Sequence, residues 1–226
     1  MRHIRTAVLI HGCHLQAQLG EQDWESIVWD YRPDGRISLR GRAAMGIKVA
    51  LDYHAELLIF STGASERDGV KEGEFTRNFG LEHCEAVADI VGYSTQEVKA
   101  ALTAAELDLE SQNTREECER NFRIAASRGI ERIILVSSPW HIERCHAEAL
   151  KVTEGMRASG KSVPAILAVA SYGAGAEKLV ILEPSHRGDQ KPNRFAELGA
   201  RFFRVPGAER DGFEARLDEL LTRHGA

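Results

Sequence analysis

Short apolar runs alternate along the chain with stretches in which apolar residues recur every three or four positions, and this alternation predicts the elements. Ala7-Val8-Leu9-Ile10, Glu56 to Phe60 and Ile133-Ile134-Leu135-Val136 are brief and nearly continuous, as strands buried on both faces of a parallel sheet are. Leu107 and Leu109 alternate with acids, and Ala165 to Ala170 and Leu179 to Leu182 extend the strand series. Between them lie helical stripes. Ala43, Ala44, Ile47, Ala50 and Leu51 mark one within Ser38 to His54, and Lys71 to Phe79 and Thr95 to Ala105 predict two more. Cys118, Phe122 and Ala125 mark another, Ile142, Cys145, Ala149, Val152 and Met156 the next, and Asp211 to His224 a terminal amphipathic helix. Strands alternating with helices predict an α/β fold, an open and mostly parallel sheet with helices on both faces and right-handed crossovers.

Cap signals sharpen the helix starts. Ser94 or Thr95 caps the helix at Thr95, with Glu97 reaching back, and Asn113-Thr114-Arg115-Glu116-Glu117 holds a capping box in either of two registers, Asn113 with Glu116 or Thr114 with Glu117. Gln16 to Ile37, with Trp24, Trp29 and the turn Arg32-Pro33-Asp34-Gly35, reads as a long loop of the lid or binding type. Glu183 to Gly188 is a polar loop placed to close over a site.

Composition narrows the picture. A chain of 226 residues without a Pro/Gly/Ser-rich linker fits one domain, 1–226. A net charge of −5 and the lack of a long basic run argue against nucleic acid as the main partner. The first apolar run is too brief for a signal-peptide core or a membrane span, so a soluble cytoplasmic protein with no membrane partner is expected. The four cysteines then read as reduced thiols, with Cys118 and Cys145 in the core. His11, Cys13 and His14, His83 with Cys84, and His141 with Cys145 and His146 cluster, but no Cys-x-x-Cys pair or His-Glu-x-x-His helix is present, and no metal site is predicted.

Candidate chemistry centres on Glu131 to His146. Here a strand passes to a helix within about three residues, with Ser138 suited to cap the helix and Pro139 to its first position. Ligands of open α/β sheets bind at the carboxyl ends of strands. Ser137, Ser138, His141 and Arg144 fall there, giving two hydroxyls, a group that titrates near neutrality, a fixed cation and the N–H groups of a helix start. The bland alternative makes Ser138 only a cap, His141 only a polar residue of the first helical turn and Arg144 only a solvated surface group; the functional reading expects His141 and Arg144 to flank the buried stripe at the surface rather than join it. Ser61-Thr62-Gly63-Ala64, after the second strand, is either a second anion-holding turn or an ordinary tight one. Gly12, after the first strand, would let the backbone approach a ligand. All three strand-end segments, Ser61 to Ala64, Glu110 to Thr114 and Ser137 to Arg144, are expected to converge on one pocket at a shared sheet edge.

In that order Gly12, Arg42, Ser61-Thr62-Gly63, Glu72, Glu110-Ser111-x-Asn113-Thr114-x-Glu116 and Ser137-Ser138-x-x-His141-x-x-Arg144 resemble the SanA/ElyC/YdcF-type family over roughly residues 7–152. The resemblance implies a Rossmann-like α/β sheet of largely unknown function. The chain departs from the family's pattern at Thr62, where the family has Gly, and at Glu117, where it has Asn. It is more similar to the soluble YdcF-like branch, for which S-adenosylmethionine binding is implied, than to the membrane-anchored, envelope-linked members.

Two function classes follow. One is an enzyme acting on a nucleotide-like or phosphorylated small molecule, a hydrolase or transferase, with His141 as general acid/base, Glu72 or Glu110 as a second carboxylate, and Gly12, Arg42, Ser61, Thr62, Gly63, Ser111, Asn113, Thr114, Ser137, Ser138 and Arg144 around the ligand. The other is a non-catalytic binder of an adenosine-type ligand, or an envelope-related regulatory protein, using the same crevice. Either form is compatible with a homo-oligomer.

Overall fold

The structure is a computed structural model that describes residues 3–12, 24–32, 34–139, 141–171 and 216. The chain divides into two compact units, Met1–Leu179 and Val180–Ala226. Apart from Arg216, which is helical and exposed, every described residue belongs to the first. The expected strand at Leu179 to Leu182, the loop Glu183 to Gly188 and most of the terminal helix lie outside the described residues, as do Cys13 and His14.

Five strands form one wholly parallel sheet: β1 (Thr6–Ile10), β2 (Leu57–Ser61), β5 (Glu106–Asp108), β6 (Arg132–Ser137) and β7 (Ala165–Ala170). Their order is β5-β2-β1-β6-β7. A two-residue antiparallel pair, β3 (Glu66–Arg67) with β4 (Val70–Lys71), stands apart. β1 and β2 are buried at every position, and β6 at all but its first, as continuous apolar runs require.

Alternate strand residues feed two cores. Val8, Ile10, Leu58, Phe60, Ile134 and Val136 pack with α1 (Trp24–Trp29), α2 (Arg42–Asp52), α3 (Glu72–Glu82), α4 (Cys84–Val91) and α5 (Thr95–Ala104). Ala7, Leu9, Leu57, Ile59, Ile133 and Leu135 pack on the other face with α6 (Thr114–Ser127) and α7 (Ile142–Ala158), through Cys118, Phe122, Ala125, Cys145, Ala149 and Met156. Strand succession runs one way across the sheet from β1 to β5, then reverses through β6 to β7, and the covering helices change face at the reversal. Reversing both direction and face keeps one hand in every crossover. The reversal also makes the gap between β1 and β6 the topological switch point.

Several local expectations are corrected. The segment read as a loop from Gln16 to Ile37 contains helix α1, and Trp24, Val28, Trp29 and Ile37 are core residues, because two large indoles gain more from burial than a lid would retain. Helix α4 and the β3–β4 pair were not expected. Ser138 does not cap α7; the cap position is His141, without a side-chain cap bond, and Ser138 Oγ instead receives Arg42 Nη2 at 2.7 Å. The expected Ser94–Glu97 capping box is present. At the second start Asn113 is the cap, accepting from the Glu116 N–H at 3.0 Å, while the Glu116 carboxylate takes the Gln112 N–H and Asn113 Nδ2 in place of the expected box; Thr114 and Glu117 face inward. Among the described residues, no helix is long and apolar enough to cross a membrane.

Candidate functional site at the switch point

Loops after β1, β2, β5 and β6 all leave the same edge of a parallel sheet, so the three strand-end segments do share one edge. They divide into two groups. At the outer half, Asp108 is buried and accepts Ser111 Oγ at 2.6 Å, Asn121 Nδ2 at 2.9 Å and the N–H groups of Ser111 and Glu110 at 3.2 and 3.3 Å. Ser61 Oγ receives Asn121 Nδ2 at 2.9 Å. Thr62 Oγ1 donates to the Ser111 carbonyl at 2.9 Å, and the Gly63 N–H reaches that carbonyl at 3.0 Å. A Cβ on Gly63 would stand 2.0 Å from the Leu109 carbonyl oxygen, so glycine is required for the two loops to touch. The Ser61 to Ala64 turn is thus spent on the neighbouring loop.

The inner half lies at the switch point. Gly12 is needed there because a Cβ would lie 2.1 Å from Thr62 Cγ2; the space is taken by Thr62. Arg42, buried in the first turn of α2, donates through Nη1 to the Gly12 carbonyl at 2.7 Å and the His11 carbonyl at 3.3 Å, and through Nη2 to Ser138. One guanidinium therefore joins the loops after β1 and β6, using the planar fork that lysine lacks.

His141 is 3% exposed, which corrects its reading as a surface group flanking the stripe. Its Nδ1 is 3.0 Å from Ser137 Oγ, and its Nε2 is 3.1 Å from Thr114 Oγ1 and 3.0 Å from Arg144 Nη2. A guanidinium only donates, so Nε2 is the acceptor and the ring proton is assigned to Nδ1, donating to Ser137. Arg144 Nη2 also donates to Thr114 Oγ1 at 3.1 Å. Arg144 is half-buried, at the mouth of the group.

Sequence reasoning passed over the pair behind this group. His11 follows β1 and is wholly buried, and its Nδ1 lies 2.5 Å from Glu117 Oε2, itself buried. The His11 and His141 rings meet edge-on, with centroids 6.2 Å apart. Burial opposes charging His11, while the sulfurs of Cys145 and Cys118 and the Glu117 carboxylate favour it, and the balance holds its pKa well above 6.5. Burial pushes the Cys118 thiol up, so that sulfur is neutral near pH 7. Asp108 and Asn121 were also passed over. A signal existed: Thr114, Glu117, Asn121 and Ala125 share the helical face that continues into Cys118 and Phe122, so polar side chains there point inward.

The remaining candidates are placed as follows. Glu72 is buried in the first turn of α3, next to the outer half, where the Gly73 N–H donates to the Thr62 carbonyl. Glu110 is not brought into either group: its side chain is 72% exposed and ion-paired with Arg120 at 2.5 Å. Ser111 belongs to the outer half and Asn113 is a partly exposed cap. No group of three or more His, Cys, Asp or Glu side chains suited to a metal occurs among the described residues. No family model, curated protein or solved structure matches the chain.

Proposed function

We propose that the protein binds a phosphorylated or nucleotide-like small molecule at the switch point and acts on it as a hydrolase or transferase, with His141 as general acid/base. Arg144 and the N–H groups at the start of α7 hold the anionic group, and Arg42 fixes the two loops between which it sits. Glu117 is better placed than Glu110 or Glu72 to serve as the accompanying carboxylate, because it lies in the same buried group. S-adenosylmethionine remains a candidate ligand through the resemblance to the YdcF-like branch.

One observation carries this reading. Two imidazoles, two guanidiniums, a carboxylate and three hydroxyls from four separate segments are gathered at the crevice where open α/β sheets bind ligands, in two hydrogen-bonded sets joined by Arg42 on the His11 carbonyl and by the edge contact of the two imidazoles. Burying such groups yields little net stability even when they are paired, since desolvation offsets most of the attraction. Apolar residues would fill the same space at lower cost, so the polar assembly is better explained by a ligand.

A second reading, a binder without turnover, is favoured by the engagement of both His141 ring nitrogens with protein groups. One experiment tests the first reading and separates it from the second. Melting temperature is followed against inorganic phosphate, AMP and S-adenosylmethionine, where ligand at a hundredfold excess over its Kd stabilises by about 2.7 kcal/mol. Any ligand that stabilises is then incubated with protein, and products are sought with the parent and with His141→Ala. Turnover lost in the variant supports the enzyme, while stabilisation without products supports the binder. A panel in which nothing stabilises the parent overturns both.

A further inference from the structure

The function above gives Glu117 a place beside the ligand but leaves its buried partner, His11, without a role. His11 and Glu117 are 0% and 4% exposed in their side chains and 2.5 Å apart, and His11 Nε2 has no hydrogen-bond partner among the described residues. The ring is faced by Glu117 and Cys118 from α6, by Cys145 from α7 and by His141 ahead of it, while Arg42 of α2 reaches the His11 carbonyl.

Glu117 stands three residues after Thr114, and residues at that spacing share a helical face. Whatever holds Glu117 to β1 therefore sets the height and rotation of the turn that carries Thr114. The Thr114 hydroxyl is the atom that meets both His141 Nε2 and Arg144 Nη2. Asn113 caps this turn locally, through Glu116, and gives it no tie to the sheet. The His11–Glu117 contact supplies that tie.

We propose that His11 is a positioning residue for the crevice, its charged pair with Glu117 pinning the first turn of α6, and so Thr114, against His141 and Arg144, and that the crevice holds an anion only while His11 keeps its proton. The proposal rests on the anion-binding reading above. Loss of the proton leaves a buried carboxylate without its counter-charge, which is costly. That carboxylate then competes with the ligand for the neighbouring guanidiniums, or shifts and carries Thr114 with it. The direction in pH follows. A histidine whose folded pKa is raised contributes fully below its unfolded value near 6.5 and loses that contribution as pH rises through the folded pKa.

Sulfate is the probe, since it stays a dianion throughout and its own charge does not move with pH. Its affinity is measured from about pH 6 to about pH 9 for the parent, for Glu117→Gln, which keeps the volume and removes the charge, and for His11→Gln. Side-chain nitrogen NMR follows both histidines in the same samples. The expected result is two ring protons on His11 at neutral pH and a loss of sulfate affinity of about tenfold as they reduce to one, the equivalent of one charge-assisted bond. In either variant that pH dependence is absent. A His11 with a single ring proton across the range overturns the proposal, and so does a parent whose sulfate affinity follows the same pH course as the variants. If sulfate binds at no pH, the anion reading of the crevice fails separately. The pinning is then judged on the His141 nitrogen shifts, which move with the His11 titration in the parent if it holds and stay fixed if it does not.

Discussion

At the β5–β2 half of the sheet edge, Asp108 is surrounded by donors from its own loop and from Asn121, and Thr62 and Gly63 are tied to the Ser111 carbonyl. At the β1–β6 half, buried polar groups are just as dense, but the bonds run between side chains of different elements, and two of the groups are imidazoles. The outer half ties backbone groups of two loops and the side chains of Ser61, Ser111 and Asn121 around one carboxylate, and fixes loop shape. Apart from Arg42 on the His11 and Gly12 carbonyls, the inner half bonds side chain to side chain, around groups whose protonation can change. Polarity at a strand end therefore does not identify a site; what its bonds are made to does.

The largest expected effect lies in the outer half. Asp108→Ala removes the acceptor of two backbone N–H groups and of the buried Ser111 hydroxyl, takes one of three acceptors from Asn121 Nδ2, which keeps Ser61 Oγ and the Glu117 carbonyl, and breaks the contact of Arg120 Nε with Asp108 Oδ1 at 3.4 Å. Removing one member of such a buried network costs about 3–5 kcal/mol. Urea unfolding of parent and variant is the check. A loss below about 1 kcal/mol, the worth of one ordinary hydrogen bond, would make this half dispensable and undo the contrast.

His141→Ala probes the inner half and is smaller in stability. It deprives Ser137, Thr114 and Arg144 of one partner each, and an unsatisfied buried group costs about 1–3 kcal/mol. The contrast predicts that this variant also loses affinity for any anion the parent binds, by about 1.5–3 kcal/mol, while a mild outer-half change such as Ser61→Ala leaves affinity alone. Isothermal titration with the ligand found in the stabilisation panel measures both. Equal losses of affinity would merge the two halves into one site.

How much of this was legible in the sequence depended on the range of the contact. Strands β1, β2 and β6 were readable because burial on both faces leaves an apolar run with no polar alternation to confuse it. Helix α4 was not, since its eight residues follow α3 after only His83 and offer no separate start signal. Ser137, Ser138, His141 and Arg144 lie within eight positions, so their meeting could be proposed from spacing alone. His11 and Glu117 are 106 residues apart, and only the order β2-β1-β6, with α6 crossing over that face, brings them together. Ser138 misled for a related reason: a serine before a proline is a good cap in isolation, but Arg42, from an element nearly a hundred residues earlier, claims its hydroxyl.

The smallest expected effect separates what lies on the edge from what lies in the crevice. Glu110 sits in the same loop as Ser111, and its sequence context offers it as a catalytic carboxylate. Its side chain is nevertheless 72% exposed and held by Arg120, whose Nε also lies 3.4 Å from Asp108 Oδ1. An exposed ion pair of this kind is worth less than about 1 kcal/mol, and neutral surface changes usually stay within about 0.5 kcal/mol. Glu110→Gln keeps the shape and removes the charge, so its melting temperature should match the parent's closely and its ligand affinity and any turnover should be unchanged. Glu117→Gln, equal in chemistry but buried, should weaken affinity and lower any turnover. If Glu110→Gln instead abolished turnover while leaving stability intact, the reacting group would lie over the outer half, and His141 would be serving the fold there rather than the chemistry.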